Sequence, residues 1–440
     1  MTKSRRAFIK KTALSTVGLT VGMSAANYAN IPSANDRINF AVIGINSRGK
    51  ALISSISDVR NTAITAVCDV DSRVVEAAQA NVEKRSGKKP MGYKDFRKIL
   101  EDPNIDAIAI ASPDHWHAPM AIMGAKAGKH IYVEKPCCHN PGEGELLVAV
   151  QKKYDRLVQM GNQQRSGLAS KQAIMDIRYG LIGDVYHGKA WYGSNRKSIG
   201  KGQEVAVPEW LDWELWQGPA PRRAYRDNYV HYNWHWFWNW GTGEINNNGT
   251  HEIDICRWAL DVDYPTRVSS NGGRFHFEDD WEFYDTQVAN FEFEGSKMIT
   301  WEGRSCNGHK FFDRGRGVTI HGTKGTIMMD RGGYFAYDLD GNVIKEMTEA
   351  TDSGTMDLVG AGGLTTFHMN NFCNGIRQGE TLAAPVDDGY KSNLLPHLGN
   401  ISQHHGRTLD INPLNGHIVG DSEAASMWTR DYEYGWEPTI

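Results

Sequence analysis

The chain has 440 residues, enough for two domains, with 40% hydrophobic residues, 23% charged residues and a formal net charge of -4. An acidic balance without a basic stripe argues against nucleic acid as a partner. Tandem repeats and low-complexity tracts are absent from the sequence.

At the start, Ser4-Arg5-Arg6-Ala7-Phe8-Ile9-Lys10 precedes a mildly apolar stretch, Thr12 to Ala26, too short and too rich in small residues to span a bilayer. Residues 1–30 read as a twin-arginine export signal, with Ser24-Ala25-Ala26 offering small residues for cleavage. The expectation is a periplasmic protein, exported folded and without stable membrane insertion once the signal is gone. Removing five basic residues and no acidic ones leaves a net charge of about -9.

Residues 37–162 alternate short apolar runs with helical patterns, which predicts a parallel sheet and a Rossmann domain. The run Ile38 to Ile43 leads into Gly44-Ile45-Asn46-Ser47-Arg48-Gly49 and then a helical pattern to about Asp58. This is the strand, turn and helix context of a dinucleotide fingerprint, with Asn46 at the middle glycine position. Gly44 permits the tight turn and Gly49 close helix packing, and backbone N–H groups at the helix start hold a pyrophosphate. A second run, Ala63 to Cys68, ends at Asp69, placed to accept hydrogen bonds from an adenosine ribose and so to favour NAD over NADP. A third, Ile105 to Ala111, stops at Ser112-Pro113-Asp114-His115-Trp116-His117, at a strand's carboxyl end, where ligands collect. Helical patterns run over Ser72 to Glu83 and Ala118 to Ala127. The domain's last informative strand ends at Glu134-Lys135, setting an amine where a nicotinamide ring sits. The candidate cofactor contacts are thus Gly44, Asn46, Ser47, Arg48, Gly49, Asp69, Ser112, Pro113, His115, His117, Glu134 and Lys135. For His115 a purely positioning role is equally open.

From residue 163 to 440 strand-like runs follow one another: Val185 to Tyr192, Arg267 to Phe277, Thr286 to Glu294, Lys297 to Glu302, Val318 to His321 and Thr326 to Met329. Gly322-Thr323-Lys324-Gly325 reads as a hairpin turn, and the whole predicts a large, mainly antiparallel sheet. Helical patterns at Leu364 to Arg377 and Tyr390 to His405 close the chain. Between Trp191 and Trp240 lie eight of the 14 tryptophans. Their faces suit the C–H surfaces of sugar rings, so Trp236 and Trp238 are candidate substrate contacts, with ordinary core packing as the other reading. Arg165, where the chain leaves the first domain, is either a substrate contact or a plain surface arginine.

Hydride transfer from a hydroxyl-bearing carbon requires the hydroxyl proton to leave as the carbonyl forms, a task suited to histidine near neutral pH. His251 is the candidate base. Asn247, four residues earlier, shares its face in a helical start, with Asp254 and Arg257 nearby. Lys135 hydrogen-bonds the same oxygen and stabilises alkoxide charge. The six cysteines show no metal-ligand spacing; no metal is expected, and small buried side chains are their preferred reading.

Taken together, Tyr93-Lys94-Asp95-Phe96, Ser112-Pro113-Asp114 with His117, Ala127-Gly128-Lys129-His130 and Glu134-Lys135-Pro136 resemble the Gfo/Idh/MocA oxidoreductase family over nearly all of the mature chain. Its second signature, Asp-x-Gly-x-His with Asp three residues on, appears as Asn247-Asn248-Gly249-Thr250-His251 with Asp254, so Asn replaces the leading Asp. The resemblance implies a Rossmann domain followed by an open, mainly antiparallel sheet whose free face forms homodimers or homotetramers. It also implies an NAD-dependent oxidoreductase acting on a sugar or glycoside hydroxyl with tightly bound cofactor. Relatives that oxidise a glycoside transiently at C3, eliminate, and return the hydride make an NAD-dependent glycosidase the alternative. A non-enzymatic sugar-binding protein would leave Lys135 and His251 unexplained.

Overall fold

A computed structural model describes residues 37–349 and 363–440. The expected export signal lies outside the described residues. The apolar runs of the first half form β1 (Ile38–Ile43), β2 (Thr62–Cys68), β3 (Met91–Tyr93), β4 (Ala107–Ile110), β5 (His130–Val133) and β6 (Val158–Met160). They pair in parallel in the order β3-β2-β1-β4-β5-β6. Every residue of β4 is buried, because crossover helices cover both faces of the sheet. The main crossovers are α1 (Ser47–Asp58), α2 (Ser72–Ser86), α3 (Asp114–Lys126) and α4 (Pro141–Tyr154). Chain direction across the sheet reverses between β1 and β4, which opens a crevice at the strands' carboxyl ends.

After α5 (Leu168–Arg178) the pattern becomes antiparallel, with β7 (Val185–Gly193), α6 (Thr250–Leu260), β8 (Arg267–Gly273), β9 (Thr286–Phe293), β10 (Lys297–Arg304) and β11 (Arg316–Gly322). The second half continues with β12 (Gly325–Asp330), β13 (Gly333–Asp338), β14 (Val343–Thr348), α7 (Gly363–Gln378), α8 (Val386–His405), β15 (Leu409–Ile411) and β16 (Ile418–Val419). The ten strands form one sheet in the order β14-β13-β12-β11-β7-β10-β9-β8-β15-β16, in which only β7 and β10 pair in parallel. Helix α6 packs against β7, β10 and β11, and α8 against β8 and β9, so one face of the sheet is covered. Helix α7 returns to the first domain, where Phe372 sits 6.3 Å from Phe40 and 6.0 Å from Tyr132 between ring centroids. Among the described residues no helix is long and apolar enough to cross a membrane.

Two sequence expectations shift. The strand expected over Arg267 to Phe277 stops at Gly273, because Asp285 accepts from the backbone N–H groups of Phe275 and His276 and pairs with Arg274, turning the chain out of the sheet. Strands β13 and β14 lie beyond the expected runs; β14 is an edge strand exposed along most of its length, so it carries no apolar alternation. All six cysteines are buried and unpaired, in line with the packing reading.

Candidate active site

The crevice beyond β1, β2, β4 and β5 is closed from the other side by the segment after β7 and by the start of α6, forming one cleft between the domains. At its phosphate end Gly44 has φ +75°, and a Cβ there would lie 2.5 Å from the Ser112 backbone nitrogen. A Cβ on Gly49 would lie 2.0 Å from the Gly44 carbonyl oxygen, so neither position tolerates a side chain. Gly49 itself is buried in the turn packing, whereas Gly44, Asn46, Ser47 and Arg48 line the cleft. Asn46 caps α1 without a side-chain hydrogen bond, leaving its amide for the cleft. This cradle fits a dinucleotide pyrophosphate at a helix N-terminus.

Asp69 lines the cleft from the end of β2, with both oxygens anchored: they accept from the N–H of Ile45 at 2.9 Å and of Asp71 at 3.0 Å. Ser112, Pro113 and His117 line it from the start of α3. His117 Nδ1 lies 2.6 Å from the Pro136 carbonyl, and burial lowers its pKa to about 4, so the ring is neutral. Glu134 accepts from Arg48 Nε at 2.7 Å and from Gln163 Nε2 at 3.0 Å, binding the glycine turn to the last strand.

Lys135 is half-buried in the cleft, where Nζ donates to the Asn247 carbonyl at 2.5 Å and faces its side-chain oxygen at 3.4 Å. Desolvation lowers its pKa to about 8. Asn247 sits in a π turn, Ile245–Gly249, that leads into α6, and so reaches the cleft together with His251 although the helix is not regular between them. Its Nδ2 donates to Glu244 Oε1 at 3.1 Å, while Asn248 and Arg196 bond the same carboxylate. A carboxylate at 247 would meet Glu244 across a hydrogen-bond distance; the amide avoids that repulsion. The acid beside Asn247 is therefore Glu244. Asp254 is structural, holding Arg165 and Ser392.

His251 lines the cleft, but burial and then the nearby charges of Arg331, Lys135 and Arg316 hold its imidazole well below 6.5. It is therefore neutral and a weak base, and Lys135 matches neutral pH better. Asp114, which accepts from Thr242 Oγ1 at 2.5 Å, is raised by burial to about 7.

Four expected contacts are corrected. His115 is fully buried with Nε2 2.9 Å from the Trp216 carbonyl; its ring turns to the aromatic segment, not the cleft. Arg165 is locked in buried ion pairs with Asp254, at 2.7 Å, and with Asp388, so it cannot reach substrate. Trp236 stacks on Trp281 and Trp238 on Phe283, each at 3.8 Å between centroids, and neither lines the cleft. The rings that do include Phe96 and Trp116 of the first domain and Trp216, Tyr232 and Trp234 of the aromatic segment, joined by His231 and His235. Which rings of the segment face the cleft is illegible in sequence, because an irregular segment has no period from which a facing side can be read. Arg316 and Arg331 also line the cleft, Arg316 through an ion pair with Glu252 at 2.7 Å, and nothing local in the sequence marks either.

Residues 38–162 match an oxidoreductase family with an NAD-binding Rossmann fold, and residues 216–328 match the GFO/IDH/MocA C-terminal domain. The chain belongs to the GFO/IDH/MocA family. Its first domain is that family's NAD-binding Rossmann domain, and NAD is the cofactor the cleft accommodates. Among curated relatives, a glycosyl hydrolase family 109 protein of a Shewanella species is 27% identical over 208 residues, 43% of this chain and 45% of the relative. An alpha-N-acetylgalactosaminidase of Shewanella oneidensis is 26% identical over the same shares. The chain thus spans less than half the length of these relatives. In fold, the WlbA dehydrogenase from Bordetella pertussis, solved with NADH and UDP-GlcNAcA, matches with TM-score 0.64 and 18% identity over 86% of this chain and 99% of that one.

Proposed function

We propose that this protein oxidises a hydroxyl of a sugar or glycoside. A dinucleotide bound in the cleft supplies the hydride acceptor. The observation that carries the proposal is Lys135: a half-buried amine with its pKa lowered to about 8, on the Rossmann side of the cleft and hydrogen-bonded across it to Asn247. In its neutral form Lys135 takes the hydroxyl proton; in its charged form it stabilises the oxygen as negative charge develops. His251, kept neutral, orients the same hydroxyl, and Asn247 fixes Lys135 against Glu244. Trp216, Trp234 and Tyr232 supply apolar surface along the cleft.

The names of the Shewanella relatives favour a second outcome at the same site, in which the hydride is returned after elimination and the glycoside is cleaved without net oxidation. Mass spectrometry of products from a panel of monosaccharides and glycosides in D₂O, with NAD⁺-loaded protein at a concentration comparable to substrate, separates the two. Oxidised sugar marks a dehydrogenase. Cleaved glycoside with deuterium beside the transiently oxidised carbon marks a glycosidase, and unchanged substrates throughout would remove both.

We further propose that the protein is exported folded to the periplasm, on the strength of the Arg5-Arg6 motif, and assembles as a homodimer or homotetramer through the uncovered face of the ten-stranded sheet. Cell fractionation tests the first. For the second, a single monomeric species in sedimentation velocity would be decisive against it.

A further inference from the structure

The tryptophan-rich segment singled out in the sequence has a use beyond core packing. Residues 208–240 are fastened along the rim of the Rossmann domain, just past the end of β2. The N–H of Ser72 donates to the Trp210 carbonyl and that of Asp212 to the Val70 carbonyl, each at 3.1 Å, framing an antiparallel bridge between Asp71 and Leu211. Side chains repeat the connection. Lys94 pairs with Asp212 at 2.7 Å, His231 Nε2 lies 2.9 Å from Asp71 Oδ2, and the Arg73 guanidinium lies 3.5 Å over the Trp210 ring. Farther along, Trp116 Nε1 donates to the Trp216 carbonyl at 2.9 Å, and the His115 N–H donates to the Trp240 carbonyl at 3.1 Å.

These contacts adjoin Asp69 and Val70, and Leu215, Trp216 and His231 line the same cleft as those two residues. In a Rossmann domain the end of β2 is where the adenosine ribose binds. Behind the fastening, Trp213, Trp216, Tyr229 and Trp240 pack as a buried aromatic cluster, which makes the segment stiff.

We infer that residues 208–240 are a cofactor-retaining clasp: they wall the adenosine end of the dinucleotide site, and bound dinucleotide leaves only when the segment detaches from the edge formed by Val70, Asp71 and Ser72. The inference concerns dinucleotide release and holds whichever hydroxyl is oxidised and whichever outcome the product panel gives.

The test is exchange of dinucleotide on the holoprotein. Wild-type protein is loaded with NAD, chased with excess deuterated NAD, and the retained isotope is read by mass spectrometry after denaturation. Release from wild type is expected to be slow, over hours, and Trp210→Ala and His231→Ala are each expected to accelerate it by roughly tenfold or more. Because either variant risks misfolding, hydrogen exchange of the wild-type holoprotein gives a second reading. Under conditions where exchange reports each opening, the amides of Ser72 and Asp212 are expected to exchange at least as fast as dinucleotide leaves. Release from wild type within the mixing time would overturn the clasp. So would folded variants that release at the wild-type rate, or dinucleotide that leaves far ahead of exchange at the fastening amides.

Discussion

Lys135 and Asn247 act as one unit: an amine desolvated on one domain is held by a carbonyl on the other, and the amide beyond it is held by Glu244. Lys135→Met is expected to lower kcat by roughly 10²-fold or more with dinucleotide retained, since the proposed role of the amine is at the reacting hydroxyl. Wild-type activity should rise with pH through about 8, as neutral amine accumulates, and that limb should be missing from the residual activity of the variant. A limb that persists would assign the titration elsewhere. Asn247→Asp sets a carboxylate against buried Glu244, so one of the two must take up a proton. The variant should therefore lose thermal stability as pH rises through the range in which that proton is released, whereas a melting curve parallel to wild type at every pH would show that the amide only fills space.

At the level of elements, the cleft is held in register by polar crosslinks buried between helices. Arg165 joins the start of the second half to α6 through Asp254 and to α8 through Asp388, which Arg257 also binds. Breaking such a pair strands a buried charge, so Arg165→Met should cost about 3–5 kcal/mol, read by denaturant unfolding. KM of the folded variant should stay near wild type, because the guanidinium lies outside the cleft. A large rise in KM with unchanged stability would restore Arg165 as a substrate contact.

Across the whole molecule, buried neutral histidines set the acid limit. Burial lowers His115 to about 3 and His117, His368 and His397 to about 4, from an ordinary value of 6.5. Between those values only the unfolded chain takes up protons on these rings, so their contribution is complete above about 6.5 and is lost as pH falls toward 4. Asp114, raised to about 7, works in the opposite direction across that range, and Asp69 is also raised by burial, but these are two groups against four. The melting temperature should fall steadily from pH 6.5 to pH 4.5, and a constant value across that interval would mean that the histidines are hydrated in solution.

The sequence by itself determined what depends on neighbours along the chain. The period of the apolar runs decided a parallel sheet followed by an antiparallel one, and the glycine turn at Gly44, the strand ends at Asp69, Ser112 and Lys135, and the Asn247/His251 pair located most of the cleft. These are local because a strand's carboxyl end and a helix's start bring their side chains to a fixed edge of the sheet. Tertiary structure alone decided which partners those side chains meet. It turned Arg165 from the surface into a buried ion pair and paired Trp236 and Trp238 with Trp281 and Phe283 from a distant segment. It also gave Asn247 its acidic neighbour and laid residues 208–240 along the Rossmann rim. Contacts between irregular segments follow no period, and charges acquire their pKa values only from the burial and neighbours that folding supplies.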